Sequence, residues 1–454
     1  MPRHAGSIIR LGAPLLAGNF SMFLYRLADS IMVGRLGVEA LAGIAYGTIY
    51  ATVHEMLVWP VALGVQAVVS RRMGRRMARG GREEVEPRVD TGAMLPQGLY
   101  AGFLAGSAAL LLASLAPFFL PLLTTGTATA TALSYVRISM WALPLMGLAS
   151  ASRGFLAGIG FTRVVMVAIV LSNMVNIFFN WVFIFGRLGA PPLGVRGAAV
   201  GTVIAHGVSF VVLGLYAVFA RSVRREHRSF ESRRPRWVTI LRVISIGLPS
   251  AIQNASAMLV MLFFQGIVGT LGATQVAVTH VLFSVFQIKK TLVGGFANGA
   301  SILVGNYLGA ERPGEARRVI DTQLKIGAVI GGGLLVVVVI LAPALGRLFA
   351  LDGDALHLAT LGMRVLAIFY FIEINGYSLE IIFSHNGWGR YVLVSEFITN
   401  LVGILGVSAL LVLLHGTGVG GAWAGYAVYQ VMHSSILLYG LRNGGWQRVE
   451  VDPH

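Results

Sequence analysis

The 454-residue sequence contains no cysteine, and charged residues make up only 12% of it. Without cysteine the protein forms no disulfide or thiolate metal site and has no cysteine nucleophile, although this absence does not assign a compartment. Acidic residues are the scarcest charged class, with 19 Asp and Glu against 35 Lys and Arg. So little charge beside 56% hydrophobic residues is far from the composition of a soluble domain.

Apolar runs longer than 18 residues recur along the chain, and a helix of about 20 apolar residues crosses a bilayer. The sequence therefore predicts an all-α polytopic membrane protein with twelve transmembrane helices. The first run has no small-residue cleavage site, so we expect it to remain in the mature chain. The predicted spans are 8–33, 41–69, 94–123, 135–159, 164–185, 194–220, 240–268, 273–304, 326–348, 361–383, 391–415 and 418–441.

The second half of the chain is a divergent copy of the first. A constant offset of 235 residues matches Gly12 with Gly247, Pro14 with Pro249, Asn19 with Asn254 and Gly64 with Gly299. Such duplication is typical of secondary transporters, and six helices per copy predict parallel, pseudo-symmetric six-helix lobes. The predicted domains are an N-terminal lobe at 1–220, a cytoplasmic linker at 221–239 and a C-terminal lobe at 240–454.

The arginines concentrate in one set of loops, which predicts the orientation of the chain. The linker Arg221–Arg236 is the clearest example, and the net charge of +16 indicates cytoplasmic loops rather than a nucleic-acid surface. We therefore expect a multi-pass protein of the inner (plasma) membrane with both termini in the cytoplasm. Its expected partners are the lipid bilayer and small molecules, and the expected state is a monomer that binds no nucleic acid.

Asp29 lies inside the first predicted span. A carboxylate within a bilayer is costly, so it is by default a candidate for function. The 235-residue offset matches it with Phe264, which predicts that only the first half carries this acid. The alternative is structural, because Arg26 lies three residues earlier on the same helical face and could neutralise the carboxylate.

The chain resembles the multidrug and toxic compound extrusion (MATE) family over essentially its whole length, and several segments of the first half carry the resemblance. They are LGAP, ADSIMVGRLG, GVQAVVS, NMVNIFFNWVFIFG and GVRGAAVGT, with weaker copies in the second half. The resemblance implies a pair of six-helix lobes that exports organic, often cationic, compounds in exchange for protons or sodium.

The resemblance also implies roles for individual residues. The proton- or cation-coupling set falls on Asp29, Asn176, Asn180 and Thr202, and a helix-bending proline falls on Pro14. Many relatives have aspartate where Asn180 stands, and one branch has a seventh-helix glutamate that this chain lacks. With one carboxylate in the set, proton coupling is favoured over sodium coupling, and no cofactor or bound metal is expected.

Glu373, Glu55 and Lys290 are further candidates for the substrate or second-lobe site. The 235-residue offset matches Glu55 with Lys290, which predicts an acid and a base facing each other across the lobes. An alternative is that Glu55 has only a structural role, as the opposite charge that stabilises Lys290 within the membrane. Glu373, in the tenth predicted helix with Glu380, is the better acid for substrate or proton binding in the second lobe.

Other functions remain open from the sequence. A lipid-linked oligosaccharide flippase of the same superfamily would also be helical and duplicated, and a major-facilitator transporter shares the six-plus-six arrangement. A membrane-embedded enzyme would need clustered acids or histidines, and neighbouring His54 and Glu55 fall short of a zinc-ligand pattern. The sequence therefore favours secondary active efflux over enzymatic activity.

Overall fold

The computed structural model describes residues 4–78, 91–223, 234–349 and 351–451, and these residues form helices and no strands. The main helices are α1 Ala5–Gly34, α2 Val38–Val58, α3 Pro60–Ala78, α4 Met94–Ala113, α5 Ala116–Leu123, α6 Gly126–Ser139, α7 Ala142–Gly158, α8 Thr162–Phe185, α9 Val195–Phe219, α10 Trp237–Gly269, α11 Ala273–Gly309, α12 Pro313–Leu348, α13 Gly353–Ser384, α14 Gly389–Thr399 and α15 Gly418–Asn443.

These helices fit the predicted twelve spans, six in each half of the chain. In the first half α1, α8 and α9 are single spans, whereas α2–α3, α4–α5 and α6–α7 each correspond to one predicted span. In the second half each span begins with one α-helix, from α10 to α15. The prediction of an all-α polytopic membrane protein is therefore confirmed.

Two breaks within the predicted spans lie beside a proline. The second span divides before Pro60, and the third divides before α5, which has a proline in its first turn. Proline has no N–H to donate, so it is tolerated in a first turn but interrupts a helix interior. The fourth span bends by 47° between α6 and α7.

The eleventh span continues beyond α14 as a π-helix. The π-helical segments are Asn400–Val407 and Leu410–Leu414, separated by two residues. Long π-helical stretches are rare, and shorter ones occur frequently at functional sites. The backbone of this span is therefore irregular just after Glu396.

The chain packs into two compact units. The N-unit consists of Ala17–Ala251, Gly305–Glu311 and Val451–His454, and the C-unit of Met1–Leu16, Ile252–Val304 and Arg312–Glu450. The start of α1 thus belongs with the C-unit, and the start of α10 belongs with the N-unit. The central residues of the predicted linker, 224–233, lie outside the described residues, and the predicted lobe boundaries stay a prediction.

Matched glycines of the two repeats make matched contacts. A Cβ on Gly64 would lie 2.1 Å from the backbone oxygen of Val243, and one on Gly299 would lie 2.9 Å from that of Ile8. The offset of 235 relates Gly64 to Gly299 and also Ile8 to Val243. Small residues let membrane helices approach closely, so the duplication preserves a contact as well as a sequence pattern.

In the C-unit, the position that matches Asp29 is occupied by a core residue, Phe264. Phe264 is fully buried in an apolar cluster, with its ring centroid 5.7 Å from that of Phe283 and 6.2 Å from that of Tyr426. An aromatic side chain surrounded in this way contributes to stability through buried apolar surface. The two repeats therefore differ chemically where the sequence predicts they should.

Candidate functional site

The N-unit contains a cavity of about 470 Å³ among α1, α2, α6, α7, α8 and α9. This volume lies within the range of about 300–1,000 Å³ that small-molecule pockets occupy. Its wall combines apolar and aromatic side chains, such as Met22, Trp59 and Tyr135, with a comparable share of polar and charged ones. The cavity is therefore large enough for an organic molecule, and its wall offers that molecule both apolar surface and polar groups.

Asp29 is at the wall of this cavity and is held by α8. Asn180 Nδ2 donates to Asp29 Oδ1 at 2.8 Å and to Asn176 Oδ1 at 3.0 Å. Both asparagines are buried, and their spacing of four residues puts both amides on one face of α8. The structure thus brings together three of the four residues that the sequence assigns to the coupling set.

Gly201 on α9 leaves the space that Asn180 occupies. A Cβ at Gly201 would lie 2.0 Å from Asn180 Oδ1, which no hydrogen-bond donor contacts within the described part of the chain. Buried polar atoms without a partner are uncommon and costly. Gly201, in the GVRGAAVGT segment, therefore leaves room for the Asn180 side chain beside Asp29.

The other predicted residues of the first half have different positions. Thr202 lines the cavity, and its hydroxyl donates to the Ala198 carbonyl of the same helix at 3.0 Å. Glu55 lines the same cavity from α2. Pro14 lies inside the continuous helix α1, fifteen residues before Asp29. The side chain of Arg26, the alternative partner of Asp29, lies outside what the structure describes.

Sequence reasoning missed two basic residues on the cavity wall. Arg153 on α7 and His206 on α9 line the cavity together with Asp29 and Glu55. A charged residue within an apolar span is the signal that could have identified Arg153. The polar part of the cavity therefore contains two acids, from α1 and α2, and two basic side chains, from α7 and α9.

Glu373 lies in the C-unit, buried in a separate polar cluster. It accepts hydrogen bonds from Lys289 Nζ and, at 2.7 Å, from Gln430 Nε2. The Lys289 ammonium also lies 3.8 Å from the centroid of the Tyr370 ring, where a cation–π contact adds to the ion pair. The sequence had identified Glu373 but neither Lys289 nor Gln430.

Lys290 and Glu380 lie in the same unit. Lys290 Nζ is 5.4 Å from the centroid of the Tyr377 ring, and Gln253 Nε2 donates to Glu380 Oε1 at 2.7 Å. The predicted pairing of Lys290 with Glu55 concerns residues of the two different units and stays a prediction.

Comparison with known proteins identifies the family. A family model for MatE matches residues 14–182 and 249–407, once in each half of the chain. The probable multidrug resistance protein NorM of Thermotoga maritima is 22% identical over 457 residues, which cover 99% of this chain and 94% of that protein. The multidrug resistance protein MdtK of Edwardsiella ictaluri is 24% identical over 372 residues, covering 81% and 79% respectively.

A solved structure shares the fold. It is an outward-facing conformation of a multidrug resistance MATE family transporter of the MOP superfamily, with a TM-score of 0.84, 23% identity, and coverage of 98% of this chain and 96% of that one. The two family matches together span most of the sequence and confirm the resemblance that its motifs suggested. The chain therefore belongs to the MatE family of membrane transporters.

Proposed function

We propose that this protein is a secondary active multidrug efflux antiporter that exports organic, cationic or amphipathic compounds in exchange for protons. The observation that carries the proposal is the hydrogen bond from Asn180 to Asp29 at the wall of the 470 Å³ cavity. It couples an ionisable group on α1 to a second helix beside a space that can hold a small molecule. Its similarity to the multidrug resistance proteins NorM and MdtK supports multidrug resistance as the physiological role.

Protonation of Asp29 would change the bonding between α1 and α8. As a carboxylate it only accepts, whereas as a carboxylic acid it has an O–H to donate. Asn180 Oδ1 lacks a donor within the described residues, so rotation of the amide would let protonated Asp29 donate to it. That rotation would break the bond from Asn180 Nδ2 to Asn176, so the proton selects between two hydrogen-bond arrangements.

Pro14 gives α1 a place to bend in response. Proline removes one i→i−4 hydrogen bond and disfavours a straight helix. A change in the contacts of Asp29 can therefore be relieved by bending at Pro14, and the bend would reshape the cavity wall that α1 provides. Substrate release would accompany that change.

The lining of the cavity supports the substrate class. Flat aromatic faces such as those of Trp59 and Tyr135 stack on organic cations. The carboxylates of Asp29 and Glu55 favour positive charge near α1 and α2, whereas the two basic side chains of the wall lie on α7 and α9. Deprotonated Asp29 would therefore favour the bound cation, and its protonation would weaken that attraction. This competition between proton and substrate is the physical basis of antiport.

Protons are the proposed coupling ion. A sodium ion is bound by several oxygen ligands and is favoured by more than one negative charge. Within the described residues, the polar cluster around Asp29 offers only one carboxylate beside neutral amides, which favours protons over sodium. We further propose that the protein lies in the inner (plasma) membrane with both termini in the cytoplasm, as the arginine-rich loops indicate. Membership of a transporter family favours transport over a membrane-embedded enzymatic activity.

The test is dye uptake into inverted membrane vesicles that contain the protein. We expect an acidic vesicle interior to drive uptake of a cationic dye, and an ionophore that exchanges potassium for protons to abolish it. Uptake driven only by a sodium gradient would contradict proton coupling. Absence of uptake under every gradient, by protein verified as folded, would contradict the proposed function.

A further inference from the structure

Three side chains of the kinds that bind metals converge in the C-unit. Glu380 is on α13, Glu396 on α14 and His433 on α15, and one ligand atom of each lies within 4.8 Å of the others. His433 is fully buried, and Glu396 is 7% exposed. None of the three lines the cavity around Asp29, so the proposed efflux mechanism leaves this cluster unexplained.

The spacing between His433 and Glu396 suits two ligands of one cation. His433 Nε2 lies 3.1 Å from Glu396 Oε2, yet neither ring nitrogen makes a hydrogen bond with any described residue. The atoms are close enough for a hydrogen bond but lack its geometry. Ligand atoms about 2.0–2.1 Å from a tetrahedral Zn²⁺ lie about 3.3 Å apart, so the pair has the spacing of two ligands on one ion.

The two carboxylates of the cluster would also be stabilised by a cation. Glu380 and Glu396 would repel each other at this spacing in a membrane interior. Lys289 is committed to Glu373, and Lys290 forms no ion pair with either carboxylate in the described part of the chain. A divalent ion would neutralise both carboxylates while leaving His433 neutral, which is the form of imidazole that binds metals.

Neighbouring residues hold the three side chains in place. Gln253 Nε2 donates to Glu380 Oε1 at 2.7 Å, and the Tyr429 hydroxyl donates to Glu396 Oε1 at 3.1 Å. The Tyr429 ring also stacks on His433, with centroids 5.6 Å apart and planes at 7°. Hydrogen bonds of this kind orient the ligands of metal sites. The π-helix that follows α14 also begins only four residues after Glu396, so the backbone is irregular close to this ligand.

We propose that Glu380, Glu396 and His433 together bind one divalent transition-metal ion, with Zn²⁺ as the representative. One imidazole and two carboxylates form a donor set that Zn²⁺ accepts, and three protein ligands leave a fourth position for water. Closing the site requires the Glu380 carboxylate to approach by about 1.5 Å at most, judged from tetrahedral spacing. The ion would tie α13, α14 and α15 together within the C-unit.

Metal content of the full-length protein tests the proposal. Protein purified in detergent would be stripped with a chelator, loaded with Zn²⁺, freed of excess metal and analysed by mass spectrometry. We expect about one tightly bound Zn²⁺ per wild-type chain, and a dissociation constant at least 100-fold weaker for Glu396→Gln and His433→Asn, since even outer-shell changes cost about 10–100-fold. Loading with Co²⁺ should give the visible absorption of a four-coordinate ion.

Two comparisons make the result specific to this site. His357→Asn removes an exposed histidine of α13 and should keep wild-type metal content. Gln253→Leu should weaken Zn²⁺ binding by about 10–100-fold through loss of the hydrogen bond to Glu380. Chromatography would verify that each variant is folded, and Zn²⁺ should raise the unfolding temperature of the wild type more than Mg²⁺ does. Wild-type protein that binds no more metal than His433→Asn would overturn the proposal, even if dye export is intact.

Discussion

Lys289 donates a hydrogen bond to Glu373 in the interior of the C-unit, where Lys289 is 4% and Glu373 2% exposed. The same carboxylate accepts a bond from Gln430. Breaking a buried pair by removing one charge costs about 3–5 kcal/mol, because the other charge is left buried without compensation. Removing both charges avoids most of that cost.

Glu373→Gln should therefore lower the free energy of unfolding by about 3–5 kcal/mol. The double variant Lys289→Met, Glu373→Gln should recover most of the loss, since the remaining amide can still accept from Gln430. Unfolding of both variants in detergent measures the difference. Equal destabilisation of the single and double variants would show that this pair does not govern the stability of the unit.

Gly201→Ala should impair export by displacing Asn180 from Asp29. The new Cβ would lie 2.0 Å from Asn180 Oδ1, and overpacking of this kind costs about 1–3 kcal/mol. We expect an initial export rate about tenfold lower, equivalent to about 1.4 kcal/mol. The matched control is Gly207→Ala on the same helix, where the nearest atom is 3.8 Å away. Equal rates for the two variants would argue against the role of Gly201.

Asn180→Asp should introduce sodium dependence. The substitution creates a second carboxylate beside Asp29, whose Oδ1 is now 2.8 Å from Asn180 Nδ2. Two carboxylates at that distance ionise together only with a cation between them. A sodium gradient, with the proton gradient collapsed, should drive dye transport in proteoliposomes of the variant but not of the wild type. Sodium-driven transport by the wild type would refute this account of ion selectivity.

Ser222→Cys should be inaccessible from outside intact cells. Ser222 is exposed at the start of the predicted cytoplasmic linker, and the chain has no native cysteine to compete for label. An impermeant thiol reagent should modify it only in inverted vesicles, whereas Thr125→Cys, in a predicted outer loop, should show the reverse pattern. Modification of Ser222→Cys in intact cells would overturn the proposed orientation.

The sequence was sufficient to predict the helical layout, because long apolar runs and a constant repeat offset are local signals. It also identified Asp29, Asn176 and Asn180, whose hydrogen bonds the structure describes. The breaks within spans were less predictable. Pro60 was a visible signal, whereas the predicted span 135–159 runs without interruption through the 47° bend between α6 and α7.

Clusters assembled from distant helices could not be predicted in the same way. Glu380, Glu396 and His433 are separated by 16 and 37 residues, so no ligand spacing relates them, and the sequence predicted no metal site. Glu396 did carry a signal, as a carboxylate within an apolar span. Which base would contact Glu373 was equally open, because Lys289 and Lys290 are adjacent in sequence and only helix rotation distinguishes them.

The central claim, that Asp29 carries the coupling proton, is tested most directly by Asp29→Asn in proteoliposomes loaded with a cationic dye. The substitution is nearly isosteric with protonated aspartate, so the protein should fold and insert normally and still bind dye, though more weakly than wild type with deprotonated Asp29. We predict that export driven by a proton gradient falls to the level of protein-free liposomes, while gradient-independent dye binding persists. Proton-driven export near the wild-type rate would contradict the account and direct attention to Glu373 as the next candidate.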